Sequence, residues 1–206
     1  MPRNTSVLFH SLTRRLSDLE LTRKKVESLA AQGLLAKRDV DTVYEALFLR
    51  AFTELEGFIE DLFFGLLARR LRHPSSSVRA RVKLKSHMVA REIVLAGDKY
   101  VDWFPYERHT KRLAETFFTG GRPFCSLSPA DLNELEKLVI LRNAIAHRSS
   151  HALSTSERKV TRQLPLRPRE KSPVGFLRGQ IRIAPPQTRF EATMSTIVQL
   201  GQKLSR

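Results

Sequence analysis

The sequence predicts an all-α fold, and three observations carry that prediction. Apolar residues recur at three- and four-residue steps over long stretches, as one buried face of a helix requires. Helix-start signals stand out at Ser128-Pro129-Ala130-Asp131 and Thr188-Arg189-Phe190-Glu191. Only one stretch alternates clearly, with Val78, Ala80, Val82 and Leu84 set against Arg79, Arg81, Lys83 and Lys85, and it has no obvious partner strand. The 206 residues are enough for one core without staples, so the expectation is a single domain over 1–206.

Asn4 or Thr5 caps a first helix that runs to Gly33, with Leu8, Leu12, Leu16, Leu19 and Val26 along one face. A second helix starts near Asp39 and continues to Arg72, where His73-Pro74 stops it. Its stripe is Val43, Leu47, Leu55, Ile59, Leu62 and Leu66, and its length is roughly 50 Å at about 1.5 Å per residue. The short connector 34–38 implies an antiparallel hairpin. The alternating segment within 75–86 reads as an extended basic connector. A third helix covers His87–Ala96 and ends at Gly97, and a turn at Pro105 leads into a short helix to about Thr119, closed by Gly-Gly-Arg-Pro.

At Ser128 the next helix has serine at N-cap, proline at N1 and an acid at N3, which satisfies the unpaired first-turn amides. Leu132, Leu135, Val139, Arg142 and Ala146 lie along one of its sides, and it reaches at least His147. Residues 162–187 are Pro- and Arg-rich and read as an arm or loop. The last helix opens at the Thr188–Glu191 capping box and turns Met194, Ile197, Leu200 and Leu204 inward.

Composition narrows the function classes. No apolar run approaches the roughly 18–20 residues of a membrane helix, and MPRNTSVLFH lacks the apolar core of a secretion signal. The single cysteine, Cys125, cannot form an internal disulfide. The expectation is a cytoplasmic protein with no membrane partner. Lysine and arginine number 36 against 21 aspartate and glutamate, a net charge of +15, which points to a polyanionic partner such as RNA. Residues 148–206 hold twelve basic side chains against three acidic ones. Within them Arg148, Arg162, Arg167, Arg169, Lys171, Arg178 and Arg182 are the candidate RNA-binding set, with Arg158 beside them.

LRNAIAHRSS (141–150) concentrates the chemistry. Asn143 and His147 are four apart and share a helix face, whereas Arg142 and His147 diverge by roughly 140°. Either the long arginine stem swings round, or two copies of the helix meet so that both chains surround one cleft; symmetric pairing favours the second. A histidine can move protons at neutral pH. An arginine stays cationic and can grip a phosphate through two parallel hydrogen bonds. RNA supplies its own nucleophile, the ribose 2′-OH, so these residue types suit cleavage without metal to 2′,3′-cyclic phosphate and 5′-OH ends. The competing reading is a solvated helix end whose His147, Arg148 and His151 complement the negative pole.

The segment RNAIAH (142–147) resembles the signature of the HEPN superfamily. LEGFIEDLFF (55–64), WFPYERHTKRLAETFFTGGRPF (103–124) and PVGFLRG (173–179) are similar to members of its RiboL-PSP type. The likeness extends over most of residues 40–205. It implies an antiparallel HEPN-type helical bundle, a homodimer with a composite active site, and a metal-independent endoribonuclease of bacterial toxin–antitoxin or phage-defence systems, with an antitoxin or defence-system partner. Arg142 and His147 match the catalytic pair and Asn143 the polar residue behind the arginine. The tyrosine that some HEPN toxins carry two residues after the histidine is Ser149 here. The alternative is a non-catalytic HEPN-like module binding nucleic acid, a nucleotide or a partner protein.

Three lesser features complete the reading. Glu56 either supports the arginine or histidine or belongs, with Glu60 and Asp61, to an acidic solvated face, and mid-helix Gly57 suggests close approach of another helix. His147 and His151 are four apart but lack nearby ligands, so neither metal nor cofactor is expected. Trp103, Phe104 and Tyr106 read first as core and second as base-stacking residues.

Overall fold

The computed structural model describes residues 2–82, 84 and 86–206. The described residues are mostly helical, with eight α-helices and four strands of two to four residues. The chain divides into two compact units, one built from Met1–Thr13, Leu55–Glu136 and Val198–Arg206, the other from Arg14–Glu54 and Lys137–Ile197. No helix among the described residues is long and apolar enough to cross a membrane.

Local chemistry sets the helix boundaries. Helix α1 (Ser6–Ala31) begins where the Asn4 side chain accepts from the Ser6 amide at 2.9 Å. It ends in a left-handed Gly33 (φ 74°), where the Leu34 amide reaches back to the Leu29 carbonyl at 3.0 Å and Gly33 to Ala30 at 3.0 Å. That pair of bonds is the Schellman closure a glycine at this position permits. Helix α2 (Lys37–Leu67) starts two residues before Asp39, because the Asp39 carboxylate accepts from the Ala36 amide at 3.2 Å from inside the first turn. It also stops five residues short of the expected Arg72. The Leu71 side chain folds back onto Gly65, occupying the space a Cβ there would need, while Arg69 takes a left-handed φ of 55°.

In the first unit, β1 (Arg3–Asn4) and β2 (Leu71–Arg72) pair in parallel. Helix α3 (His87–Leu95) is capped by Ser86, whose hydroxyl accepts from the Val89 amide at 3.1 Å. The segment read as a connector without a partner does find one: Ala80 bridges Phe118, with Arg81 donating to Phe117 at 2.8 Å and Thr119 to Arg79 at 2.9 Å. Three residues of ladder are too short to signal a partner in sequence. Lys83 and Lys85 of that segment lie outside the described residues. A π-helical turn at Glu107–Lys111 leads into α4 (Arg112–Phe117). The core gathers around Phe63, whose ring lies 5.2 Å from Trp103, 5.1 Å from Phe118 and 5.4 Å from Phe124. Trp103, Phe104 and Tyr106 are therefore buried core residues, each below a tenth exposed. Burying a side chain of this size is worth about 1.5–3 kcal/mol. Gly57, by contrast, is exposed, and a Cβ built there would meet nothing within 4 Å; the close approach belongs instead to Gly201, where Leu12 lies at 2.8 Å.

In the second unit, Arg15 meets Glu54 at 2.6 Å and Arg23 meets Tyr44 at 3.3 Å, so contacts climb α2 as they descend α1. That is the antiparallel hairpin. Helix α5 (Pro129–His147) has residues in both units and is capped as expected: Asp131 accepts from the Ser128 amide at 3.0 Å and donates its own amide to Ser128 at 3.3 Å. Its buried residues include Leu135, Leu138, Leu141 and Ile145, whereas Leu132, Val139 and Arg142 are half-buried and Ala146 is exposed. Helix α6 (Ser150–Ser156), another π-helical turn, and α7 (Pro173–Arg178) follow. The expected arm over 162–187 folds as α7 plus an antiparallel ribbon of β3 (Gln180–Ile183) and β4 (Pro186–Thr188). Helix α8 (Arg189–Ser205) closes the chain, with Met194, Ile197, Leu200 and Leu204 all buried.

Candidate active site

Helix α5 runs uninterrupted to His147, then breaks at Arg148, which adopts a left-handed φ of 49°. Ser149 immediately caps α6, its hydroxyl accepting from the Ala152 amide at 3.2 Å. The end of α5 is therefore set by backbone geometry, and its last two turns carry the three residues of interest.

A straight helix points Arg142 and His147 apart, and the arginine stem overcomes this within one chain. The Arg142 guanidinium lies 6.0 Å from the centre of the Phe52 ring on α2, which gives it a flat apolar support. From there Nη1 donates to Asn143 Oδ1 at 3.0 Å and lies 3.3 Å from His147 Nε2. Convergence of the pair does not require the second copy that sequence geometry favoured. Because a guanidinium can only donate, Nε2 must accept in this arrangement, and the ring hydrogen then sits on Nδ1. Arg142 and Asn143 are half-buried and His147 is exposed. The cluster thus sits at the surface, held at its base and open at its tip.

This arrangement brings together a fixed cation, a proton carrier and an amide that orients the cation. Asn143 acts on the arginine rather than on the imidazole. Arg148, the next residue, forms an ion pair with Glu45 of α2. Sequence reasoning singled out neither Phe52 nor Glu45. Their spacing of seven on α2 was the available signal, since it puts them on one face. Ser149, two residues beyond His147, serves as the N-cap of α6.

The remaining candidates divide. Arg162, Arg167, Arg169 and Lys171 are exposed. Arg182 is exposed and bonds to Gln187 at 2.8 Å. Arg178 is held by Asp41 at 2.7 Å and Glu27 at 3.6 Å and stacks 5.5 Å over the Tyr44 ring, so its charge faces carboxylates. Glu56 is half-buried on α2 in the first unit. Glu60 pairs with Arg91 and accepts from the Trp103 indole at 3.2 Å, so it is no part of a solvated face. Cys125 is half-buried beside Glu115, and burial followed by that carboxylate pushes its thiol up. No group of three metal-ligating side chains gathers among the described residues, at His147 and His151 or elsewhere.

One cluster escaped sequence reading altogether. Arg23 occupies an inward position of α1 and is only 6% exposed. It donates to Glu191 at 2.6 Å, to Glu20 at 2.9 Å and to the Tyr44 hydroxyl. Burial works against its charge, but the bonds to Tyr44 and Glu20 outweigh it and strengthen its hold on the proton. Burial also pushes the Tyr44 phenol up to about 12. The available signal was an arginine standing in register with Leu12, Leu16, Leu19 and Val26. No protein-family model, curated protein or solved structure matches the chain.

Proposed function

We propose that the chain is a cytoplasmic, metal-independent endoribonuclease of the HEPN type, acting in a toxin or phage-defence system. The observation that carries the reading is the Arg142 guanidinium lying 3.3 Å from His147 Nε2 on an exposed helix end. Cleavage joins the 2′-oxygen to phosphorus and breaks the bond to the 5′-oxygen. One proton leaves the 2′-hydroxyl and one must reach the departing 5′-oxygen. His147 takes the first at Nε2 as Arg142 turns from that nitrogen to the phosphate, and the twofold-related His147 of a homodimer supplies the second, which is why the reading pairs two copies of α5. Arg142 neutralises the charge that grows on the phosphate oxygens, where a preplaced cation contributes most. The exposed Arg162, Arg167, Arg169 and Lys171 draw in the strand.

Purified protein incubated with RNA in EDTA is expected to yield 2′,3′-cyclic phosphate ends, and DNA of the same sequence is expected to stay intact. His147→Ala that cuts as wild type would sink the reading. The exposed cations of residues 162–171 favour a second reading, a HEPN-like module that binds RNA without cutting it. Salt-sensitive RNA binding with no cleavage at any protein concentration selects that module. Sedimentation of the wild type tests the homodimer directly.

A further inference from the structure

The first unit holds a cavity of about 760 Å³ between the end of α3 and the helical segment that becomes α4. Small-molecule sites fall in a range of about 300–1,000 Å³. Its lining mixes three kinds of group. Arg108 and Arg112 are one turn apart on a single helical face, both exposed, and neither has a side-chain partner among the described residues. Two such guanidinium groups repel each other until an anion sits between them. Lys99, in the segment after α3, adds a third cation to the lining.

The second group is a positioned imidazole. His109 Nδ1 lies 2.9 Å from the Asp102 carbonyl oxygen and 3.6 Å from its carboxylate. A carbonyl only accepts, so Nδ1 carries the hydrogen and Nε2 is left for a ligand. The third is apolar. The Tyr100 ring is 76% exposed, and Val94 and Leu113 line the cavity with it. An exposed flat ring beside unpartnered arginines offers a stacking surface and a phosphate clamp together. Asp98 opposes a bare polyanion but accepts hydrogen bonds from hydroxyl or amino groups.

We propose that this cavity binds a nucleoside monophosphate. The phosphate lies between Arg108 and Arg112, the base stacks on Tyr100, and Asp98 accepts from the ribose or the base. No residue of α5 lines the cavity, and the proposal does not rest on the ribonuclease reading. Calorimetry on the full chain tests it with AMP, adenosine and inorganic phosphate. Trp103, the sole tryptophan and the immediate chain neighbour of Asp102, gives a second, fluorescent readout. AMP is expected to bind at least about tenfold more tightly than adenosine or phosphate, a difference of about 1.4 kcal/mol. The double variant Arg108→Ala/Arg112→Ala is expected to lose most AMP affinity with an unchanged circular-dichroism spectrum. Tyr100→Ala is expected to weaken AMP but leave phosphate unaffected. Three results would overturn the proposal: no saturation by AMP, wild-type affinity in the double variant, or phosphate binding as tightly as AMP.

Discussion

Arg23 and Arg142 both belong to the second unit and both lie on long helices, but their surroundings are opposite. Arg23 is buried and closed in by two carboxylates and a phenol, Glu191 at 2.6 Å, Glu20 at 2.9 Å and Tyr44 at 3.3 Å. Arg142 is half-exposed and rests on a ring, with an amide and an imidazole as its polar neighbours. Carboxylates cancel a guanidinium, whereas neutral acceptors orient it and leave its charge to act on something else. Burial and partner chemistry, more than position in the sequence, separate a structural arginine from one available for chemistry. They also make opposite predictions for the two residues.

The largest effect is expected at the open site. On the proposed ribonuclease reading, His147→Ala and Arg142→Ala should each lower RNA cleavage by about a thousandfold, within the ranges of about 10²–10⁴ for a positioned acid or base and about 10²–10³ for a charge-stabilising group. His147→Ala should leave stability within about 0.5 kcal/mol of wild type, as surface substitutions do, and Arg142→Ala should cost up to about 1 kcal/mol for its lost contact with the Phe52 ring. Asn143→Ala should reduce cleavage less, because it removes an orienting bond and leaves the reacting groups in place. A variant that loses activity only because its melting temperature falls would break the comparison.

Arg23 should behave in the reverse way. Arg23→Ala leaves Glu191, Glu20 and the Tyr44 hydroxyl without their donor, and breaking a buried pair costs about 3–5 kcal/mol. Urea denaturation should read a loss near the lower end, since Glu20 and Glu191 are partly exposed. Arg23→Met fills the volume but leaves the same carboxylates without their donor, so it should recover only the packing part of the loss. Neither should change the cleavage rate measured below the midpoint. A loss under about 1 kcal/mol in Arg23→Ala would mean the cluster is solvated.

The same contrast explains what the sequence could disclose. Helix starts at Ser128 and Thr188 were legible because capping depends on three or four consecutive residues, and the inward face of α8 followed from spacing alone. The α2 end was not legible. It depends on Leu71 closing over Gly65 and on β2 pairing with β1, the strand that precedes α1. The folded form of 162–187 escaped for a similar reason, since Pro and Arg content describes a loop equally well until Ser172 caps α7 from the Gly175 amide at 3.2 Å. At the candidate site, residue types pointed to the α5 end, but Phe52 and Glu45 lie on α2, far from it in the chain (Glu45 is 103 residues from Arg148), and nothing beside RNAIAH in the sequence points to them.

A smaller effect sharpens the border between cap and ion pair. Glu191 accepts from the Thr188 amide at 2.8 Å and from its hydroxyl at 3.1 Å, while also binding Arg23. Thr188→Ala should cost about 1 kcal/mol as a lost N-cap. Because both contacts share one carboxylate, the double variant with Arg23→Ala should not be additive, with a coupling of about 0.5 kcal/mol or more. Additivity in the double-mutant cycle would separate the cap from the network.

The smallest stability effect falls on Arg148, which combines features of the two arginines compared above. It pairs with Glu45, but its side chain is 67% exposed, so solvent screens the pair and its contribution is about 0–1 kcal/mol. Its left-handed φ of 49° is a conformation glycine adopts at no steric cost. Arg148→Gly therefore loses a weak ion pair and gains relief at the helix terminus, and the net change in stability should lie within about 0.5 kcal/mol of zero. RNA binding should respond differently. If Arg148 contacts a phosphate beside His147, the slope of log affinity against log salt should fall by about one in the variant. An unchanged slope would place Arg148 with Arg23, as a residue whose charge is answered inside the protein.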